Sequence, residues 1–253
     1  MQEKKSSAAG IVVAIIVSSL LIAGGAVAAA LIVSANSGNS HSSGNVSETT
    51  SNKMKSSGNS GASSASSDDN PGILSTDHVR GKRNSKVLVV EYADPQCPGC
   101  ATMMPKMDEI FEQYKDKAAF VYRHFPISGH QNAVSAAVAI EAAGRQGYYW
   151  EMLSAVFAKR AYWVAESGNN LINAYVGIFE SIAKGEGDSK RFRDDLDSAE
   201  LKEKVSADKE LGRVDEITAT PTIFVNGEAV DFTSGNRDPK AYIIDAINEA
   251  LGD

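Results

Sequence analysis

The chain has 253 residues, a formal net charge of −7, two cysteines and 43% hydrophobic residues. That length allows one or two domains, but the first 72 or so residues lack the composition to build a core, which leaves one medium-sized domain over residues 72–253. Lys4, Lys5, Lys53 and Lys55 cancel Glu3, Glu48, Asp68 and Asp69, so the acidity belongs to that domain and argues against a nucleic-acid partner, which would want a basic face.

Residues 8–33 contain no charged side chain and are rich in Ile, Val, Leu, Ala and Gly, a run longer than the ~20 residues needed to span a bilayer. One transmembrane signal-anchor helix is expected there. Lys4 and Lys5 precede it, so residues 1–7 are expected in the cytoplasm and all that follows on the extracytoplasmic side. Val33-Ser34-Ala35 resembles a signal-peptide cleavage site, but the apolar run exceeds the usual ~7–15 residues of such a signal. Residues 34–71 are Ser, Gly and Asn with scattered charge, too poor in apolar groups to order, and read as a tether with an average reach of ~35 Å. His41 and the short acidic cluster Asp68-Asp69 with Asn70 are read as solvated parts of it rather than as ligands.

Beyond the tether, residues 86–92 form a β-branched run that predicts a buried strand ending at Asp94-Pro95. Cys97-Pro98-Gly99-Cys100 follows at once. Met103, Met104, Met107, Ile110, Phe111 and Tyr114 then recur at helical spacing and read as packing, with Pro105 predicted to kink the helix. A second strand is expected over 119–125. Residues 131–212 are helical in pattern, with segments at 133–143, 148–159, 169–184 and 189–211, the last broken near Ser198. Thr220-Pro221, a strand over 222–225, an Asn226-Gly227 hairpin turn, a short strand over 228–230 and an amphipathic helix over 239–251 complete the chain.

The two cysteines are the whole thiol complement and lie in one Cys-x-x-Cys unit. A zinc site would need four Cys or His ligands, and neither a second cysteine pair nor a spaced histidine pair exists to supply them, so no metal is expected. Redox work is the better reading, because an exported protein exposes its thiols to oxidation and keeps a close pair for use. Cys97 falls where a helix begins, with Pro98 in the first turn. Unpaired backbone N–H groups and the positive end of the helix dipole favour an anion there, so Cys97 is expected to attack. Cys100, one turn further in, is the resolving thiol.

These features together resemble the DsbA-like branch of the thioredoxin superfamily, including its membrane-anchored Gram-positive-type forms. Glu91, six residues before Cys97, matches a buried acidic residue that moves the proton of the second cysteine. Pro105 stands where related sequences kink the active-site helix, and Thr220-Pro221 resembles the cis-proline loop that offers backbone to substrate. Residues 122–126 and 146–152 resemble segments flanking the first inserted helix, so the likeness spans about 85–251. Gly99 departs from the best-known oxidases, which carry His there to stabilise the reduced thiolate. The alternative roles are ordinary ones: a strand-surface carboxylate for Glu91, packing for His124 and His130, and core or groove wall for Tyr148, Tyr149, Trp150 and Trp163.

The resemblance implies a thioredoxin-like α/β fold with a central mixed sheet and a helical insertion over about 131–212, and a catalytic set of Cys97, Cys100, Glu91, Thr220 and Pro221. It implies a disulfide oxidase acting on exported thiol proteins, needing no cofactor beyond the Cys97–Cys100 disulfide and reoxidised by a DsbB-like or VKOR-like membrane partner. A reductase or isomerase of the same fold, and a non-enzymatic surface-anchored binding domain, are the alternatives.

Overall fold

The computed structural model describes residues 69–253. The membrane helix expected over 8–33 and the tether, up to residue 68, lie outside the described residues. Among those described, no helix is long and apolar enough to cross a membrane.

The centre of the molecule is a parallel pair of strands, β2 (Leu88–Ala93) and β3 (Ala119–His124), both buried along their whole length and paired from Leu88↔Ala119 to Ala93↔His124. Parallel neighbours need a crossover, and helix α1 (Pro98–Tyr114) provides it. The helix buries Cys100, Met103, Met104, Met107, Ile110 and Tyr114 on one stripe. It runs unbroken through Pro105, which sits on its exposed side. Strand β1 (Val79–Gly81) adds antiparallel to β3, while β4 (Thr222–Val225) and β5 (Glu228–Ala229) extend the sheet antiparallel on the other edge. The five-stranded order is β1-β3-β2-β4-β5. The Asn226-Gly227 turn between β4 and β5 has positive φ at both residues, as a two-residue hairpin of this hand requires, and Asn226 also bonds Leu88 through its side-chain oxygen and backbone N–H.

Between β3 and β4 the chain forms helices α2 (Ala133–Gly144), α3 (Tyr149–Ala158), α4 (Gly168–Ala183), α5 (Ser189–Asp195) and α6 (Ala199–Val214), with a 3-10 turn at Arg160–Tyr162. Helix α2 is alanine-rich because it is buried on nearly every side, and small side chains let its neighbours approach. Asp188 caps the start of α5, and Ser198 caps α6 and so explains the break between the two: each accepts a backbone N–H of the turn that follows it, from Arg191 and Leu201 respectively. Helix α7 (Pro239–Leu251) closes the fold, with Asp238 as its cap and Pro239 at its first position.

Strand alternation divides β2 between two cores. Val89 and Ala93 join α1, the insertion and α7 in the larger one, and Glu91 points the same way; Leu88, Val90 and Tyr92 pack with Ile73, Val121 and Phe125 in the smaller one. Gly212 lets α6 lie on that second face, because a Cβ there would fall 2.5 Å from the Phe125 ring.

Candidate active site

Strand β2 ends at Ala93, and the loop from Asp94 to Gln96 delivers Cys97 to the start of α1. Cys97 occupies the cap position in an extended conformation, and Pro98 takes the first helical position, where its missing N–H costs nothing. Ala101 donates its N–H to the Cys97 carbonyl at 3.1 Å. One turn inside, Cys100 is completely buried, whereas Cys97 is partly exposed, and both are free thiols.

Across from them stands the loop before β4. The Thr220–Pro221 peptide is cis, and the Thr220 carbonyl accepts from the Cys97 thiol at 3.6 Å. A side chain at Gly99 would begin 3.6 Å from both Cys97 Sγ and Pro221 Cδ, in ordinary contact, so residue 99 faces the gap between the thiol and this loop. The fold therefore brings Cys97, Gly99, Cys100, Thr220 and Pro221 together from two segments more than a hundred residues apart.

Behind Cys100 the site is buried and carries a carboxyl group. Burial pushes the Cys100 thiol strongly up, offset only in part by the backbone N–H of Asp94, which donates to its sulfur at 3.5 Å, and by the Thr220 side chain. Glu91 is 4% exposed and its Oε1 has no hydrogen-bond partner among the described residues. Burial raises its carboxyl to about 7, with Arg80 pulling it down and Asp108 pushing it up. The β3 residue opposite Glu91 is Tyr122, whose buried hydroxyl also lacks a partner among the described residues. Arg80, on β1, is held by Asp108 at 2.9 Å and lies over the rings of Phe111 and Trp150 at 4.2 and 4.4 Å. The surface-carboxylate alternative for Glu91 is thus replaced by a buried one.

Three buried or partly buried polar groups of the domain were invisible to sequence pattern. Arg80 sits on a three-residue edge strand that has no strand signature of its own. Asp94 is fully buried and pairs with His130 at 2.6 Å. The third group is a cluster in which His78 and His124 both donate to Glu141, at 2.9 and 3.1 Å. His124, Glu141 and Asp208 bring ligand-type atoms within 4.8 Å of one another, and Lys204 meets both Asp208 oxygens at 2.7 Å and approaches Glu141 at 3.8 Å, so an ammonium supplies the positive charge there. Lys204 and Asp208 stand four apart on α6, the one part of this cluster that helical spacing could have flagged. Of the aromatic residues, Trp163 is core, its indole N–H bonded to the Val156 carbonyl, and Tyr149 stacks on His78 at 3.8 Å.

A thioredoxin family model matches residues 74–245 of this chain. The chain belongs to the thioredoxin family. Among solved structures, this thioredoxin-family chain shares its fold with BdbD from Bacillus subtilis (TM-score 0.58, 23% identity, covering 73% of this chain and 98% of that one). It shares it also with alpha-DsbA1 from Wolbachia pipientis (0.56, 24%, 71% and 93%) and with a thioredoxin-like oxidoreductase from Silicibacter pomeroyi (0.56, 22%, 70% and 94%). The shared fold, one of whose bearers is a DsbA protein by name, agrees with the resemblance drawn from the sequence. Curated relatives include the Na(+)/H(+) antiporter NhaA 1 of Mycolicibacterium gilvum, 33% identical over 155 residues, which are 60% of this chain and 24% of that protein. The chain thus spans about a quarter of the length of such relatives.

Proposed function

We propose that the chain is a thiol–disulfide oxidoreductase that works outside the cytoplasm, anchored by a membrane helix over residues 8–33, and that it oxidises paired thiols of exported proteins. The observation that carries this reading is the asymmetry of the pair: Cys97 reaches solvent at the start of α1, and Cys100 is sealed behind it beside a protonatable, buried Glu91. A client thiolate attacks Cys97 Sγ of the Cys97–Cys100 disulfide, the client–Cys97 bond forms, the Cys97–Cys100 bond breaks, and the electron pair leaves on Cys100. Glu91, with its raised proton affinity, hands Cys100 the proton it requires. A second client thiolate then attacks the client sulfur of the mixed disulfide, so the client leaves oxidised and Cys97 reduced. A DsbB-like or VKOR-like membrane partner would accept the two electrons. The Thr220–Pro221 loop, whose carbonyl already meets Cys97, is where client backbone would lie.

The antiporter relatives share only a stretch with this chain, and the reading rests on the cysteine pair rather than on their transport. One observation favours the opposite electron flow: Gly99 leaves the motif without the imidazole that strong oxidases place there, which suits a reductase or isomerase. Equilibration with a glutathione series separates the two directions. The exchange itself is tested by Cys100→Ala, which keeps the attacking thiol and removes its resolver. It is expected to accumulate mixed disulfides with exported clients on non-reducing gels, while Cys97→Ala traps few. Trapping in neither variant would overturn the enzymatic reading, and trapping in Cys97→Ala alone would reverse the two roles.

A further inference from the structure

Asp94 opens the loop between β2 and the motif, and every polar atom it has is engaged there. Its backbone N–H donates to Cys100 Sγ at 3.5 Å and its carbonyl accepts from the Cys97 N–H at 3.0 Å. Oδ1 accepts from the Gln96 N–H at 2.7 Å; Oδ2 accepts from the Ile127 N–H at 2.8 Å and from His130 Nδ1 at 2.6 Å. The carboxylate is wholly buried, and His130, whose side chain is 31% exposed, is its one side-chain donor among the described residues. A buried carboxylate short of donors is costly, and a short charge-assisted bond from an imidazole is among the stronger ways to satisfy it.

We propose that His130 is a positioning residue for thiol–disulfide exchange: by clamping Asp94, it holds the backbone N–H that stabilises the Cys100 sulfur when the Cys97–Cys100 bond breaks. The inference rests on reading the pair as a redox site. When a client thiolate forms its bond to Cys97 Sγ, the electron pair of the broken bond resides on Cys100 until the proton arrives from Glu91, and in that interval the Asp94 N–H is a hydrogen-bond donor facing it. Against the burial of Cys100 the Asp94 N–H is the stronger of two groups that favour the anion, the Thr220 side chain being the other, so its placement matters more than it would at an exposed sulfur. Removing the imidazole leaves Asp94 two backbone donors, and the carboxylate gains by drawing toward water, which pulls its own N–H away from the sulfur. The loop does not come apart when this happens, because Gln96 has latches of its own: its carbonyl accepts from Arg160 at 2.7 and 2.9 Å, and its side-chain oxygen from the Asn132 N–H at 2.7 Å.

The experiment compares the wild-type chain with His130→Ala and His130→Asn, using equilibration against glutathione and the single-turnover rate with a dithiol peptide. Asn can place an N–H where Nδ1 stood. In His130→Ala the equilibrium is expected to move about tenfold toward the disulfide, the size of one lost hydrogen bond, or about 30 mV for a two-electron couple, with the first attack slowed about tenfold. His130→Asn is expected to recover most of both. A His130→Ala equilibrium equal to wild type would overturn the inference while leaving the redox reading intact, and so would a His130→Asn variant as impaired as His130→Ala. A wild-type chain that exchanges nothing would overturn the redox reading itself, and this inference with it.

Discussion

Glu91 and Glu141 are the same residue type, equally buried at 4% exposure in one domain, and the fold shifts their proton affinities in opposite directions. Burial alone raises the proton affinity of both. At Glu91 little answers it: Oε1 has no partner among the described residues, the cation Arg80 is already shared with Asp108, and the carboxyl titrates near 7. At Glu141 burial is overwhelmed by hydrogen bonds and charge from His124 and His78, which hold the carboxyl well below the usual carboxylate range. The lesson is that a buried carboxylate is a structural charge or a proton carrier according to how many donors its neighbours spare. One domain can keep both kinds when the donors are concentrated on one of them.

The largest effect that would break this comparison is at the well-supplied end. Glu141→Gln removes the charge that His78, His124 and Lys204 converge on and leaves buried donors unmatched, a change expected to destabilise the domain by about 3 kcal/mol in urea unfolding at neutral pH. The sign with pH follows from the depressed carboxyl. Its contribution is present above the unfolded value of about 4.5 and is lost as pH falls below it, so the gap between wild type and variant should narrow in acid. A variant as stable as wild type at pH 7 would mean that the cluster is not a structural charge network.

At the poorly supplied end the sign reverses. Glu91 has a raised carboxyl, so its contribution to stability is whole below about 4.5 and is lost as pH rises through about 7. Glu91→Gln removes that penalty and is expected to stabilise the domain by roughly 2 kcal/mol at pH 8 and by little at pH 4. The same variant should lose the proton that Cys100 takes up, so the exchange step slows even as the fold gains. A Glu91→Gln domain equally stable, relative to wild type, at both pH values would place the carboxyl in contact with solvent or with a donor.

The contrast between the two sites also measures what the sequence could say. Elements with strong periodicity were legible: β2, β3, the Met-bearing stripe of α1, the alanine-rich α2 and the break at Ser198 all follow from apolar spacing and cap chemistry. Cys97 and Cys100 were legible because they form one closely spaced pair between a strand end and a helix start. Glu91, Thr220 and Pro221 came from resemblance, and nothing local ties the last two to Cys97. Strand β1 was not legible: Val79-Arg80-Gly81 has no alternation to read and exists because β3 offers it an edge. The histidine cluster draws on a loop residue and three separate elements, so only the four-residue spacing of Lys204 and Asp208 was available, and that pattern is indistinguishable from an ordinary surface pair.

The smallest effect concerns Arg80, the cation that lowers the proton affinity of Glu91. Register puts Arg80 opposite Phe120 on β3, with Val89 the next strand's partner of Phe120, so Arg80 stands on the same face of the sheet as Glu91, two strands away and one pleat along. The buried groups around Glu91 on that face are Cys100 from α1, Tyr122 from β3 and Tyr149 from α3; Asp108, on α1, is 37% exposed. Arg80→Met should therefore raise the pH midpoint of the Cys100-dependent step by about one unit, the low end of what a nearby opposite charge produces, while Arg80→Lys keeps most of the wild-type midpoint. Asp108→Asn should move it the other way, because Asp108 opposes ionisation of Glu91 and also competes for Arg80; its partial exposure screens the effect to about half a unit or less. Single-turnover rates across pH 5 to 9 would read both shifts. Opposite signs for the two variants are the decisive result, since a general loosening of the sheet edge would move them together, and a common direction would remove Arg80 from the control of Glu91.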